Sequence, residues 1–311
     1  MEIDLSGQNF FGVSNYVLNQ DLNLIAKEFN ADYLVEAIGN IEFDFYMKNP
    51  FFYSRAEFEN REPIFRWTEI DTNLLQYFMF CLWFVKDNSS NILLLTAVSD
   101  DNYILTNRKE TSVSNSAGDH TLTKFTYKEL EEAYEFLLII DKISSVKSIE
   151  DALQVKKRGL ILNPDYHSEK YNARNRIERA LLFLQIARSQ SFLPPKISFY
   201  VLAIECLFSA NDLGEIQHKI AERVAMYIGR SSTEKQIIFE KIKNGYKIRS
   251  KYLHGQTLSK SQDKLDVLIE ISNELDDLVR QILKKVLRED SAKFLLKEEE
   301  LTLWFNSLLF G

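Results

Sequence analysis

The sequence predicts an α+β N-terminal domain followed by an all-α antiparallel helical bundle. Three observations carry this. Over roughly the first 125 residues, short apolar runs alternate with polar turns, the pattern of strands and irregular structure. From residue 172 onward, apolar residues recur at helical intervals in five successive stripes. Between the two lies SSVKSIEDALQVKKRGLILNPDYHSEK (144–170), whose Asn163–Pro164 step breaks regular structure. The expected organisation is an α+β domain over 1–150 with a sensing or regulatory role, a linker over 151–171, the bundle over 172–290 and a C-terminal docking helix over 291–311.

Each element has its own reason. IEFDFY (41–46) alternates apolar and acidic residues, which predicts a half-buried strand. LLQYFMFCLWFV (74–85), KDNSS and NILLLTAV predict two buried strands joined by a polar turn. NYILT and HTLTKFTY predict further strands, with Asp100–Asp101 as a hairpin turn and NRKETSVSNSAGD (107–119) as a polar, mobile loop. The aromatic run FYMKNPFFYS (45–54) is expected to build a core or an interface rather than to stack bases. Thr126 and Glu129 have capping-box spacing, and Leu130, Ala133, Tyr134, Leu137 and Leu138 follow at helical intervals, so a helix starts near 126.

The bundle begins with the stripe Ile177, Ala180, Leu181, Leu184 and Ala187. Pro194–Pro195 opens the next helix, where a missing N–H costs nothing, and Ile197, Val201, Ile204, Leu207 and Phe208 line it. Ile216, Ile220, Val224, Tyr227 and Ile228 form the third stripe, ended at Gly229. The fourth runs from Thr233 through Ile238, Ile242 and Tyr246 toward Leu253, and the fifth from Leu265 to Val286. Short links between them predict antiparallel neighbours. The tail KFLLKEEELTLWFNSLLF is expected to dock as a helix, an arm gripping a second subunit being the alternative.

Composition bounds the function. The chain has 311 residues, a net charge of −7 and only two cysteines, Cys81 and Cys206, so a reducing, cytoplasmic setting is expected rather than a disulfide framework. MEIDLSGQNF has neither the basic start nor the apolar stretch of a signal peptide. The longest apolar run spans residues 74–85, short of the about 20 residues a membrane helix needs, so no membrane association is expected. Residues 172–290 hold 20 basic against 15 acidic side chains, leaving 18 against 30 elsewhere, which is compatible with a local polyanion site on the bundle. No P-loop, dinucleotide fingerprint, zinc-protease motif or nucleophile elbow occurs. His218 between Glu215 and Glu222 reads as an ion pair with Glu222 rather than a metal site, and His120 and His167 read as surface residues. Neither a metal nor a cofactor is expected.

The stretch YKIRSKYLHG (246–255) carries the candidate chemistry. Cleaving RNA without a metal requires the 2′-hydroxyl to lose a proton while the leaving 5′-oxygen gains one, and histidine titrates in the right range for both. A guanidinium fork binds the negative charge that grows on the phosphate oxygens. Arg249 and His254 are therefore the candidate catalytic pair, with Ser250 and Lys251 supporting and Lys247 and Lys243 attracting the RNA backbone. Five residues of ideal helix turn through about 140°, so either the helix loosens before His254 or a second chain completes the site. The plain alternative is a surface arginine and a helix-terminal histidine favourably placed against the macrodipole.

Three stretches in order, NARNRIERALLFLQIAR (172–188), AIECLFSANDLGEIQHKIAERVAMYIG (203–229) and YKIRSKYLHG, resemble the HEPN superfamily and specifically its Apea-like branch. The resemblance covers about 115 residues. It implies a helical bundle that dimerises and brings two R-x4–6-H motifs into one cleft. It also implies metal-independent endoribonuclease activity on RNA, in antiviral defence, a toxin–antitoxin pair or RNA processing. Arg249 would hold the phosphate, His254 would act as acid/base, and Glu205 matches an acidic position that orients the arginine in some members. Ser250 stands where active members often have Asn, Asp or His, and Gln256 where a nucleotidyltransferase-modified subset has tyrosine, so control by AMPylation is not implied. Some members only bind, which keeps a non-catalytic RNA-binding or scaffold protein as the alternative. Products with a 2′,3′-cyclic phosphate and a 5′-hydroxyl, and a trigger or regulatory protein acting through the N-terminal domain, complete the expectation.

Overall fold

The computed structural model describes residues 1–5, 11–14, 16–19, 31–54, 64–98, 104–108, 113–144, 174–210 and 216–310. A mixed α/β region is followed by an all-helical one. The chain divides into two compact units, Met1–Ser112 with Thr121–Leu137, and Val113–His120 with Leu138–Gly311. The expected linker, His167 and Asp100–Asp101 lie outside the described residues.

Among its described residues the first unit holds three small sheets. Strand β1 (Glu2–Asp4) pairs in parallel with β7 (Lys124–Thr126). Strands β2 (Phe11–Val13), β3 (Tyr16–Asn19) and β4 (Phe51–Tyr53) form an antiparallel set, and β5 (Leu94–Val98) pairs antiparallel with β6 (Ile104–Arg108). Helices α1 (Ala31–Ile38), α2 (Asn40–Lys48), α3 (Ile64–Val85) and α4 (Tyr127–Ile143) accompany them. Helix α4 starts where the capping box predicts: Thr126 N–H donates to Glu129 Oε2 at 2.8 Å and Glu129 N–H to Thr126 Oγ1 at 3.4 Å.

Two expected strands are helices. Residues 74–85 belong to α3, and every side chain from Phe78 to Phe84 is buried. A helix buried all round shows no 3.6-residue stripe, so its sequence is indistinguishable from a buried strand. Phe84 stacks on Phe136 with ring centroids 4.6 Å apart, and Trp83 and Leu82 are fully enclosed. NILLLTAV does supply β5, but its partner is β6. Likewise IEFDFY lies in α2, which buries no residue fully, so its alternation answers to no sheet face. An i,i+4 pair, Asp44 with Lys48 at 2.5 Å, fits the helix instead. Tyr46, Phe51 and Tyr53 pack with Leu34, Ile38, Phe43 and Met47, which makes the aromatic run a small core.

The second unit is the bundle: α5 (Arg176–Arg188), α6 (Leu193–Phe208), α7 (Ile216–Ile228), α8 (Ser232–Leu253) and α9 (Leu265–Lys285). A π turn (Val286–Asp290) extends α9 into the short α10 (Ser291–Phe294), and α11 (Glu298–Phe310) closes the chain. Asn175 and Glu178 form a reciprocal capping box at the start of α5. Helix α6 is central, packing on α5, α8 and α9. Its carboxyl end is held by two guanidinium groups: Arg223 Nη1 donates to Phe208 O at 2.7 Å, and Arg176 Nη1 to the carbonyls of Cys206, Leu207 and Ser209. Cations at a helix C-terminus satisfy carbonyls that have no intrahelical partner and complement the dipole.

In this chain the tail packs as the helix α11: Leu301 and Phe305 are fully buried, Phe305 lies against Phe208 and Phe294, and Trp304 lies against Tyr227. The segment 113–120, expected as a mobile loop, is ordered against the bundle by serines. Ser114 N–H donates to Arg188 O at 2.8 Å, Ser116 Oγ to Asn273 Oδ1 at 2.6 Å, and Ser272 Oγ to Ser116 O at 2.5 Å. No helix among the described residues is long and apolar enough to cross a membrane.

Candidate functional site

Gly245 sets the position of α8. A Cβ there would lie 2.7 Å from Leu275 Cδ1 and 3.0 Å from Val201 Cγ2, so only glycine lets α8 lie this close to α9 and α6. That azimuth buries Tyr246 and turns Arg249 toward α6. Arg249 Nη2 donates to Glu205 Oε2 at 2.8 Å, and both side chains are only about one-fifth exposed (22% and 19%). The guanidinium carbon sits 5.6 Å from the centre of the Tyr246 ring. Glu205, Ser209, Ile216, Tyr246 and Arg249 together line a pocket of about 310 Å³.

Burial raises the Glu205 carboxyl above the ordinary glutamate value, and Arg249 opposes part of that shift. Burial, then the Glu205 charge and a side-chain hydrogen bond to Glu205, raises the Tyr246 hydroxyl far above the usual phenol value. A carboxyl whose folded value is raised holds its proton more tightly when folded, so its contribution is complete below the unfolded value and is lost as pH climbs through the folded one. Stability is therefore expected to fall as pH rises from the ordinary glutamate value through the raised one. Glu205→Gln should remove that component of the slope, which urea titrations at closely spaced pH values would measure.

His254 is the C-cap of the same helix and its side chain is exposed. The backbone closes in a Schellman motif: Gly255 N–H donates to Tyr252 O at 3.1 Å and Gln256 N–H to Lys251 O at 2.8 Å, with Gly255 at φ +63°. Gly255 is explained by this turn. Its φ is left-handed, and no neighbouring atom crowds a Cβ there. Gly255→Ala is expected to cost about 1–2 kcal/mol through backbone strain alone, and Gly255→Asn less, as chemical denaturation would show.

The helix does not loosen before His254. Its hydrogen bonds continue to the cap, where His254 N–H donates to Ser250 O at 3.1 Å. The turn of about 140° along regular helix therefore persists, and His254 is not among the residues lining the Arg249 pocket. Glu205 and Arg249 are thus brought together, whereas His254 is not joined to them within one protomer.

The lysines also go elsewhere. Lys247 donates to Asn244 at 3.0 Å and lines a second groove of about 670 Å³ between α8 and α9, shared with Glu240, Glu270 and Glu274. Lys251 donates to Gln262 at 2.7 Å, Lys243 lies 5.2 Å from the Phe239 ring centre, and Ser250 is exposed. His218 packs edge-on against Phe239, and no group of three metal-ligating acidic, histidine or cysteine side chains occurs among the described residues. His120 accepts no buried role: it is exposed, 2.9 Å from Val113 O. Tyr246 is the site residue that sequence reading assigned to the core alone. The signal was its i,i+3 spacing from Arg249, which places both on one helix face. Comparison with family models, curated proteins and solved structures found no match to this chain.

Proposed function

We propose that the chain is a metal-independent endoribonuclease of HEPN type, a defence or toxin-like effector that cleaves RNA at a site composed by two protomers. The observation that carries this reading is the Arg249–Glu205 pair at the wall of a pocket, with an exposed imidazole at the end of the same helix. A guanidinium oriented by a carboxylate presents its remaining N–H groups to a phosphate. Histidine is the side chain suited to taking and giving a proton in such a step, and this one is exposed to a substrate. Because α8 turns these groups apart, a partner copy supplies the histidine that meets each arginine. His254 then takes the 2′-hydroxyl proton or gives one to the 5′-oxygen, while Arg249 stabilises the phosphorane-like charge.

The second reading is a non-catalytic RNA-binding or scaffold protein. Its scaffold form is favoured by the carboxylates Glu240, Glu270 and Glu274 that share a groove with Lys241 and Lys247, since they weaken attraction for a polyanion on that face. The deciding assay incubates the full chain with a mixed-sequence RNA in a chelating buffer and determines fragment ends by mass spectrometry. Cyclic 2′,3′-phosphate ends that vanish in His254→Ala support the enzyme; cleavage unchanged in that variant rejects it.

A further inference from the structure

Basic side chains are concentrated where α8 ends. Residues 241–264 hold six lysines and Arg249 against the single carboxylate Asp263, in a chain whose net charge is −7. Two of these lysines are held by polar partners: Lys241 Nζ lies 3.4 Å from Glu274 Oε1, and Lys251 Nζ donates to Gln262 Oε1 at 2.7 Å. Lys243 and Lys247 are not in ion pairs among the described residues; their contacts are the Phe239 ring at 5.2 Å and Asn244 Oδ1 at 3.0 Å. The helix fixes where those two charges point. At about 100° per residue, Lys247 and Lys243 stand seven and eleven residues before His254 and come within about 20° of its azimuth, one on either side. Arg249 is about 140° away on the same measure. The two lysines therefore share a face with the histidine and not with the arginine.

Along the axis this row spans roughly 16 Å, with Lys247 about 10 Å and Lys243 about 16 Å before His254. Glu240 lies one turn further back, about 40° from the line, and ends it with a negative charge. Across the groove toward α9, Glu270 and Glu274 repel a polyanion, which confines a strand to the row itself. We infer that Lys243 and Lys247 form a track that guides single-stranded RNA to His254 of their own protomer, so that the chain supplying the histidine also holds the strand. A lysine meets phosphate as a point charge and reads no base, so the nucleotides lying on the track are held without regard to their sequence. The inference deepens the ribonuclease reading and rests on it for the chemistry at His254; the meeting of lysines, strand and histidine is measured apart from cleavage.

The first measurement uses the full chain and a short 2′-O-methyl RNA strand, which lacks the nucleophilic hydroxyl and is not cleaved. Affinity is followed against salt, and the accessibility of His254 by its rate of modification with diethyl pyrocarbonate, read by peptide mass spectrometry. Each phosphate contact contributes about 0.7 to the slope of log K against log salt on a single strand, so Lys243→Gln with Lys247→Gln is expected to flatten it by about 1.4. The same pair should abolish most of the protection that the strand gives His254, and Lys243→Arg with Lys247→Arg should retain it. An unchanged slope, or a histidine equally protected in the glutamine pair, overturns the track. Polyglutamate protecting His254 as well as RNA does would also overturn it, in favour of an acidic protein partner. The second measurement mixes Arg249→Ala and His254→Ala chains, whose single rebuilt site takes its histidine from the Arg249→Ala chain. The glutamine pair is expected to lower cleavage about fivefold more when carried by that chain than when carried by the other. Equal losses overturn the assignment to the histidine's own protomer. Slope and protection as expected, with no mixture that cleaves, leave the track standing and remove the composite ribonuclease. Cleavage with an unchanged slope does the reverse.

Discussion

His254→Ala is expected to lower RNA cleavage by about 10²–10⁴-fold, the usual weight of a positioned acid or base. Its stability should be unchanged, because the imidazole is exposed and makes no hydrogen bond within the described residues. Arg249→Ala should lower cleavage by about 10²–10³-fold, the cost of removing one group that stabilises transition-state charge. Unlike the histidine, this arginine also neutralises Glu205, so its removal carries a stability cost as well. The stronger test is to mix the two inactive variants. A composite site takes its arginine and histidine from different chains, so a mixed dimer rebuilds one intact site from two defective parents. Recovery of a substantial fraction of wild-type cleavage on mixing, at concentrations where subunits exchange, is the expected result. A mixture as inactive as its components, in proteins shown to exchange, would overturn the composite site.

Much of the bundle was legible because the helices around the central α6 have one wet face and one dry face. The stripes beginning at Ile177, Ile197, Ile216, Ile238 and Leu265 correspond to α5 through α9. Residues 78–84 failed for the opposite reason, since burial on every side erases the period that distinguishes helix from strand. The serine-rich segment failed differently again. Ser116 finds its partners Asn273 and Ser272 more than 150 residues away, and no local pattern announces that. Hydroxyls that look like loop chemistry in the sequence are here the groups that order the backbone.

The site divides along the same line. Arg249 and His254 were visible as residue types suited to one chemistry, and Gly255 as a helix stop. The pairing of Arg249 with Glu205, 44 residues earlier, came from the family resemblance rather than from spacing, and the structure gives its distance. What spacing does state is angle. A regular helix fixes Arg249 and His254 about 140° apart whatever their chemical affinity. The Schellman closure at Gly255 shows that the helix keeps that angle to its end.

Phe305→Ala is expected to have the largest effect on stability, about 3–5 kcal/mol. Its ring is wholly buried, stacks on Phe208 with centroids 5.6 Å apart, and carries the Arg223 guanidinium at 4.8 Å. Truncation therefore removes apolar area and leaves a cavity among Phe208, Phe294 and Trp304. It also withdraws a face from the guanidinium that caps α6 through Phe208 O. Phe305→Leu, which keeps most of the volume, should cost about 1–2 kcal/mol. For a helical unit of this size the alanine variant's midpoint should drop by about 6–20 °C. Concentration decides what the number means. Because α11 packs on helices of its own unit, the loss should be the same across a hundredfold range of protein concentration. A destabilisation that grows on dilution would instead identify the tail as an arm exchanged between subunits, since only a bimolecular contact weakens by mass action.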